Sequence, residues 1–556
     1  MDYRKEYKRW LEDSAIDKSS LKELQDIATN ESEIKDRFYT NLSFGTAGMR
    51  GVMGIGANRM NIYTVRRATQ GLANYILSQG TGKKGVVIAY DCRNMSAEFC
   101  KEAALVLNGN GIPCYVFDSL RPTPQLSFAV RYLGCTAGIV ITASHNPPEY
   151  NGYKVYWDDG GQVPYPRDYA IIKEVDKITD FSEIKSMPKA EAKESGLFRM
   201  LGSEIDEAYV QAVLKERRQA QYINVPLKIV FSPLHGAGNI LTRRVLSEAG
   251  YTNVHVVEAQ VLPDGNFPTV ISPNPEDPSA FTLAEELAKK IDADIMICTD
   301  PDADRMGAAI RVSQGKYLLL TGNMIGALLT EYVLSQGNLP PNSAVISTIV
   351  STKMTKAIAK FYGITYMEVL TGFKYIGEKI KEFEESGKNN YIFGFEESYG
   401  YLAGTHARDK DAICATLLFC EMTAFYAEKG KTLWDVMQDA YTKYGFYKEA
   451  SKSITLKGVD GLEDMRRIMS QLRENPLAKI GSQSVTEVRD YINGFGDLPK
   501  SDVLYFQLED DSWVCIRPSG TEPKIKFYIG TLSKNSTEEA DSKLADIADA
   551  LTSIGG

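Results

Sequence analysis

The chain has 556 residues and a formal net charge of −9, with 63 Lys and Arg against 72 Asp and Glu. That length exceeds one hydrophobic core, so several domains are expected, and the acidic balance excludes nucleic acid as the main partner, because binding a phosphate backbone needs a basic surface. No apolar run approaches membrane-spanning length, the opening Met1 to Tyr7 is charged rather than signal-like, and the 8 cysteines form no CxxC pair, so a reduced cytoplasmic protein without a membrane anchor is expected.

In chain order, the first clear strand is Gly85 to Tyr90. The apolar run Gly138 to Ile141 then stops at Thr142-Ala143-Ser144-His145-Asn146-Pro147. A buried strand ending there delivers the Ser144 hydroxyl to the carboxyl end of a sheet, where open α/β folds place their ligands. That position suits a nucleophile, the alternative being a serine that caps a polar turn. Ile172 to Ser195 is acidic and lysine-rich, and reads as a surface excursion before a second domain that starts near Asp206. Leu227 to Phe231 opens the next α/β unit.

Asp294 to Cys298 leads into Asp300-Pro301-Asp302-Ala303-Asp304-Arg305. Three carboxylates at alternate positions repel one another unless a cation lies between them, and oxygen ligands favour Mg²⁺ or Ca²⁺ over zinc. Arg305 and Arg311 stand where an EF-hand loop needs glycine and glutamate, so calcium sensing is excluded. Ala344 to Val350 is a further strand, and Tyr391 to Phe393 precedes Gly394-Phe395-Glu396-Glu397-Ser398-Tyr399-Gly400, whose carboxylates and hydroxyl suit sugar hydroxyls. Beyond Glu449 the pattern changes to strand, helix, strand, a hairpin turning at Asp510-Asp511 and a polar helix from Ser536. Within it, Arg517-Pro518-Ser519-Gly520-Thr521-Glu522-Pro523-Lys524 offers a guanidinium, hydroxyls and a flexible glycine backbone to a phosphate dianion.

These four loops, in this order, resemble those of the α-D-phosphohexomutase superfamily of phosphoglucomutases and phosphomannomutases. The resemblance spans almost the whole chain and is strongest to the subfamily that contains phosphoglucomutases and phosphopentomutases. It implies an α/β fold of three successive α/β domains with mixed sheets, plus a C-terminal α+β domain like the TATA-binding protein. The expected boundaries are 1–205, 206–320, 321–448 and 449–556. It implies that Ser144 carries a phosphoryl group, that Ser144, Asp300, Asp302 and Asp304 hold Mg²⁺, and that Arg50, within Gly45 to Gly51, faces the active-site phosphate beside Arg305.

By the same resemblance Lys154, in Asn151-Gly152-Tyr153-Lys154, and Lys410, in Arg408-Asp409-Lys410-Asp411, are the acid/base candidates, and His145 orients the nucleophile. Glu396 and Ser398 grip sugar hydroxyls, Thr371 and Gly372 form a second sugar-contact segment, and Arg517, Ser519, Gly520 and Thr521 hold the distal phosphate. His235 is expected to be structural or phosphate-side, and His255 and His406 structural. The implied reaction interconverts glucose 1-phosphate and glucose 6-phosphate through glucose 1,6-bisphosphate, which is also the activator. Glu397 points to glucose, although the form Gly-Phe-Glu-Glu-Ser-Tyr-Gly-Tyr also resembles phosphopentomutases and glucose 1,6-bisphosphate synthases. Phosphomannomutase is a further alternative. The expected partner is a small sugar phosphate, with neither nucleic acid nor membrane, and the expected state a monomer or dimer.

Overall fold

The computed structural model describes residues 2–45, 48–219, 225–455, 461–519 and 524–552. The chain divides into two compact units: Met1–Leu320 with Phe373–Gly387 and Tyr399–Glu428, and Thr321–Gly372 with Lys388–Ser398 and Lys429–Gly556. Among the described residues no helix is long and apolar enough to cross a membrane, and all 8 cysteines are free thiols.

The first unit contains two mixed sheets. In one, the strands are Gly48–Val52 (β1), Val86–Tyr90 (β2), Cys114–Phe117 (β3), Ala137–Ile141 (β4), Tyr150–Trp157 (β5) and Phe198–Leu201 (β6), in the order β1-β5-β4-β2-β3-β6. β4, β2, β3 and β6 run parallel, and β5 and β1 join antiparallel. Val86 to Ala89 and Ile139 to Ile141 are fully buried, because helices cover both faces; that is why these strands read as unbroken apolar runs. On one face the helix Ile62–Ser78 contributes Val65, Leu72 and Ile76, and on the other Thr123–Tyr132 contributes Leu126 and Val130. Asn61 starts the first helix by accepting from the Tyr63 and Thr64 N–H groups, while Thr64 Oγ1 accepts from Asn61 N.

The stretch expected as a surface excursion is tied into this domain. Its helices Arg167–Lys177 and Lys189–Glu194 bury Ile171, Val175 and Ala192 in the core, and β6 follows them into the sheet. The charged residues of the stretch, including Asp180, Glu183 and Lys185 between the helices, are exposed or half-buried. The helix Ser203–Leu214 then runs across the point at which a second domain is expected to begin.

The second sheet uses Ile229–Ser232 (β7), Val254–Val256 (β8), Ile295–Thr299 (β9), Met306–Ser313 (β10) and Lys316–Leu319 (β11), in the order β11-β10-β9-β7-β8. β9, β7 and β8 are parallel, and β10 is antiparallel to β9. The arrangement matches that of β3, β2, β4 and β5: a central strand, a second strand on one side, and a third on the other whose C-terminal loop returns as an antiparallel strand. β4 leads into Ser144 and β9 into the aspartates, so the two loops occupy the same connection in two copies of one design.

The second unit repeats the parallel core, with Ser343–Thr348 between Thr365–Val369 and Asn390–Glu396. Glu396 ends the third of these strands. Its terminal domain is an antiparallel sheet of Phe446–Thr455, Lys524–Ser533, Trp513–Pro518, Leu504–Leu508, Gln483–Asp490 and Lys479–Ile480, in that order. Met469 of the helix Gly461–Glu474 and Ile547 of Thr537–Thr552 pack on Leu504, Phe506, Val514 and Ile516, as an α+β layer requires. The expected hairpin turns at Asp511, whose φ of 65° lies in the left-handed region.

Candidate active site

Ser144 lies three residues beyond β4, 7% exposed, with a left-handed φ of 53°. A non-glycine residue there costs about 1–2 kcal/mol, so the loop must be held from outside. Thr142 Oγ1 accepts from Ser144 N at 2.8 Å and donates to Asp91 Oδ2 at 2.6 Å. The Ser144 hydroxyl donates to Asp300 Oδ2 at 2.7 Å and lies 3.1 Å from His145 Nδ1. Burial, and then Arg305, Arg50, Lys154 and Arg93, hold the His145 pKa well below the ordinary range, so the imidazole is neutral. Arg50, on β1, donates to Asn146 Oδ1 of the same loop at 3.1 Å.

The three aspartates of the loop after β9 are buried, with carboxylate oxygens within 4.8 Å of one another. Asp300 Oδ1 accepts from the N–H groups of Asp304 and Arg305, which closes the loop on itself. Asp302 Oδ2 accepts from Thr123 Oγ1 at 2.8 Å and Lys154 Nζ at 2.9 Å. Asp304 Oδ2 lies 3.1 Å from Lys410 Nζ and 3.5 Å from Lys154 Nζ. Among the described residues, Asp302 Oδ1 and Asp304 Oδ1 are buried without a hydrogen-bond partner. Such atoms are costly unless something absent from the chain fills the space, and an all-oxygen donor set fits a hard divalent cation.

The electrostatics agree. Burial, then Asp302 and Asp304, push Asp300 well above the carboxylate range. Burial also opposes ionisation of Asp302, but Lys154 outweighs it and holds that carboxyl low. Burial lowers the Lys154 ammonium, yet Asp302 and Asp304 raise it overall. Lys410 is nearly buried and held by Asp409 Oδ1 at 3.0 Å, while Asp409 Oδ2 accepts from Tyr156 and Gln162. Asp411 caps the following buried helix Ala412–Glu428 by accepting from Ile413 N and Cys414 N. Arg305 donates to Glu276 Oε1 at 2.7 Å.

In the second unit, Glu396 Oε1 accepts from Gly372 N at 2.8 Å, and Arg517 Nη1 donates to Thr371 Oγ1 at 2.9 Å. Two expected sugar-contact segments and the expected phosphate arginine therefore adjoin through direct hydrogen bonds. Glu397 Oε2 accepts from Thr348 Oγ1 at 3.2 Å, and burial, then Glu396, push its carboxyl up to about 7 despite Lys526. Ser398 is half-buried, Ser519 N donates to Lys524 O at 2.7 Å, and Gly520 and Thr521 lie outside the described residues.

Comparison with known proteins follows this division of loops. Residues 41–181, 207–313 and 321–444 match the models of phosphoglucomutase/phosphomannomutase α/β/α domains I, II and III. A phosphoglucomutase of Staphylococcus aureus is 38% identical over 513 residues, 90% of this chain and 91% of that protein. This chain belongs to the phosphoglucomutase/phosphomannomutase family. Like that family it is an isomerase, and phosphoglucomutase is the activity carried by the relatives that are 38% identical. Two solved structures share the fold: a family protein of Burkholderia thailandensis (20% identity, TM-score 0.69, 93% of this chain and 98% of that one) and the open form of a Paramecium phosphoglucomutase, parafusin (18%, 0.70, 93% and 95%).

Several residues of this family member escape sequence reasoning. Arg93 donates to the carbonyls of Ser144, Asn146, Pro147 and Tyr150, Thr123 fixes Asp302, and Asp409 fixes Lys410. Arg93 and Asp91 directly follow the recognised strand β2, which was the available signal; nothing local marks Thr123. His235 is held by Leu262 O and Thr269 Oγ1, His255 by Asn253 and His406 by Asp411. Neither His255 nor His406 contacts the loops of Ser144 or Asp300 in these bonds.

Proposed function

We propose that the chain interconverts glucose 1-phosphate and glucose 6-phosphate through a phosphoryl group on Ser144 and a glucose 1,6-bisphosphate intermediate. The observation that carries this reading is the buried Ser144 hydroxyl, 2.7 Å from one carboxylate of a triad in which two oxygens have no hydrogen-bond partner among the described residues. Asp300, Asp302 and Asp304, with an oxygen of the phosphorylated Ser144, would hold Mg²⁺. When bound, the ion neutralises the clustered negative charge and polarises phosphorus.

The residues of the chain do the rest. In the forward step a sugar hydroxyl oxygen bonds to phosphorus as the Ser144 Oγ–P bond breaks. The hydroxyl proton leaves to a base, and Ser144 Oγ regains a proton as its bond to phosphorus is lost. Lys154 and Lys410 reach the aspartate cluster from two sides, and Lys410 is placed for the first exchange. Lys154, which Asp302 and Asp304 hold as an ammonium, supplies the proton of the second, while neutral His145, 3.1 Å from Oγ, orients the serine. Arg50 and Arg305 counter the charge on the transferring phosphoryl group. The bisphosphate then turns over, so the distal site must accept either phosphate: Arg517 and Ser519, with Gly520 and Thr521, take that task, and Glu396, Ser398, Thr371 and Gly372 hold sugar hydroxyls common to both orientations. The four loops fall one in each of the domains we assign to 1–205, 206–320, 321–448 and 449–556. The protein works in the cytoplasm on a small sugar phosphate, as a monomer or dimer and without nucleic acid.

The test compares kcat/KM for glucose, mannose and ribose 1-phosphates with catalytic glucose 1,6-bisphosphate, alongside intact-mass analysis of wild type and Ser144→Ala. Glucose should rank first and the phosphorylated species should vanish in the variant. A higher value with ribose overturns the glucose assignment, and stoichiometric bisphosphate made from an external donor marks a synthase instead.

A further inference from the structure

The loop that carries Ser144 converges four carbonyl oxygens on one point. Those of Ser144, Asn146, Pro147 and Tyr150 all accept from the guanidinium of Arg93, at 2.6 Å for Ser144, 2.8 Å for Pro147 and 3.0 Å for Tyr150. Aligned carbonyl dipoles repel, and this turn also bears the left-handed Ser144, so without a central cation the loop would open. The Arg93 side chain has no solvent exposure, and its Nε lies 3.5 Å from Asp91 Oδ2. The same Asp91 accepts from Thr142 Oγ1, which accepts from Ser144 N. One buried pair thus grips both backbone ends of the serine.

Arg93 is itself sealed by the neighbouring domain of the same unit. The Phe267 ring packs 5.1 Å from its guanidinium carbon, and Phe267 is 1% exposed at a left-handed φ of 48°. The approach is close enough to demand glycine beside it: a Cβ on Gly265 would lie 2.4 Å from Asn94 N. Asn94 Nδ2 donates to Asn266 Oδ1 at 2.8 Å. The segment 264–267 belongs to the domain that carries Asp300, so the contact couples the placing of the serine to that of the carboxylates.

We infer that Arg93, clamped by Phe267, is a positioning residue that aims Ser144 Oγ at phosphorus without touching substrate. The inference rests on Ser144 as the phosphoryl carrier. Lysine cannot replace Arg93, because one ammonium offers three tetrahedral donors where a planar fork is required.

The experiment measures kcat, KM and melting temperature for Arg93→Lys, Arg93→Ala and Phe267→Leu, with Ser144→Ala as reference, and adds guanidinium at tens of millimolar to each. Misplacing a reacting atom by about 1 Å costs roughly 100-fold, so both Arg93 variants should lose ~10- to 100-fold in kcat while KM stays within about twofold. Guanidinium should restore several-fold activity to Arg93→Ala and none to Ser144→Ala. Phe267→Leu, which alters the packing on Arg93, should lower kcat about threefold or more with KM unchanged. Wild-type kcat in Arg93→Lys, a rise in KM alone, or activity lost in step with melting temperature and not rescued overturns the assignment. If Arg93→Ala does not fold, Arg93→Lys and Phe267→Leu decide by the same criteria. An active Ser144→Ala would instead remove the nucleophile on which the inference stands.

Discussion

Gly400 offers the sharpest single test of the site, because its missing side chain is where the Lys410 stem runs. A Cβ on Gly400 would lie 2.0 Å from Lys410 Cδ, 2.6 Å from Cγ and 3.3 Å from Cε. Ordinary carbon contact needs ~3.5 Å, so in Gly400→Ala the stem must retreat by about 1.5 Å. The Lys410 ammonium is held at 3.1 Å from Asp304 and 3.0 Å from Asp409, and neither bond survives such a shift. Overpacking of this kind costs about 1–3 kcal/mol in stability, and displacing the proposed acid/base ammonium by more than 1 Å should cost on the order of 100-fold in kcat. Steady-state kinetics and thermal melting read both quantities. The decisive arm repeats the substitution in a Lys410→Ala background, where the new methyl meets no stem. There Gly400→Ala should add almost no further loss in either measure, a non-additivity expected of two groups in contact. Full kcat in Gly400→Ala, or an equal loss of stability with Lys410 present or absent, would refute the argument.

Asp302→Asn should weaken Mg²⁺ binding and lower kcat, because one anionic ligand is lost at nearly constant size; calorimetric titration with Mg²⁺ checks it, and unchanged affinity would place the ion elsewhere. Glu396→Ala removes the acceptor of Gly372 N and should cost roughly 1.5–3 kcal/mol in kcat/KM for glucose 1-phosphate, an equal value in both proteins speaking against sugar recognition there. Glu397 binds its proton more tightly in the fold, at about 7, than at its ordinary value of 4.5. Its stabilising effect is therefore complete below pH 4.5 and is lost as pH rises through 7, by about 1–2 kcal/mol after allowing for its partial exposure. Melting temperatures at pH 5 and pH 8 should differ less in Glu397→Gln than in wild type, and identical pH dependence would exclude this carboxyl as the source.

The loops that carry Ser144, the aspartates and Glu396 were legible because each follows a strand buried on both faces, and such strands read as apolar runs ending abruptly in polar residues. The excursion at 172–195 misled for the opposite reason: charged outer faces concealed Val175 and Ala192, which need a helical period to be seen. Arg93 and Thr123 stayed hidden because their roles exist only across long separations, and Asp409, adjacent to Lys410, because its own anchor is distant. Thr123 meets Asp302 179 positions away, and Asp409 meets Tyr156 253 positions away. No local pattern encodes such a pairing; the topology creates it.

The repeated connection bears on how the molecule can change. Ser144, Ala303 and Tyr399 all take a left-handed φ, 53°, 50° and 64°, within four residues of a strand that ends a parallel core. Each loop is thus a short insert after an apolar strand, held by a few specific bonds such as that of Thr142 to Asp91 and that of Arg305 N to Asp300. The proposed phosphoryl carrier, cation ligands and sugar contacts sit in separate loops, so each can be altered without touching the other two. A library that varies only residues 396–398 would test whether sugar preference follows that loop while Ser144 and the three aspartates stay unchanged.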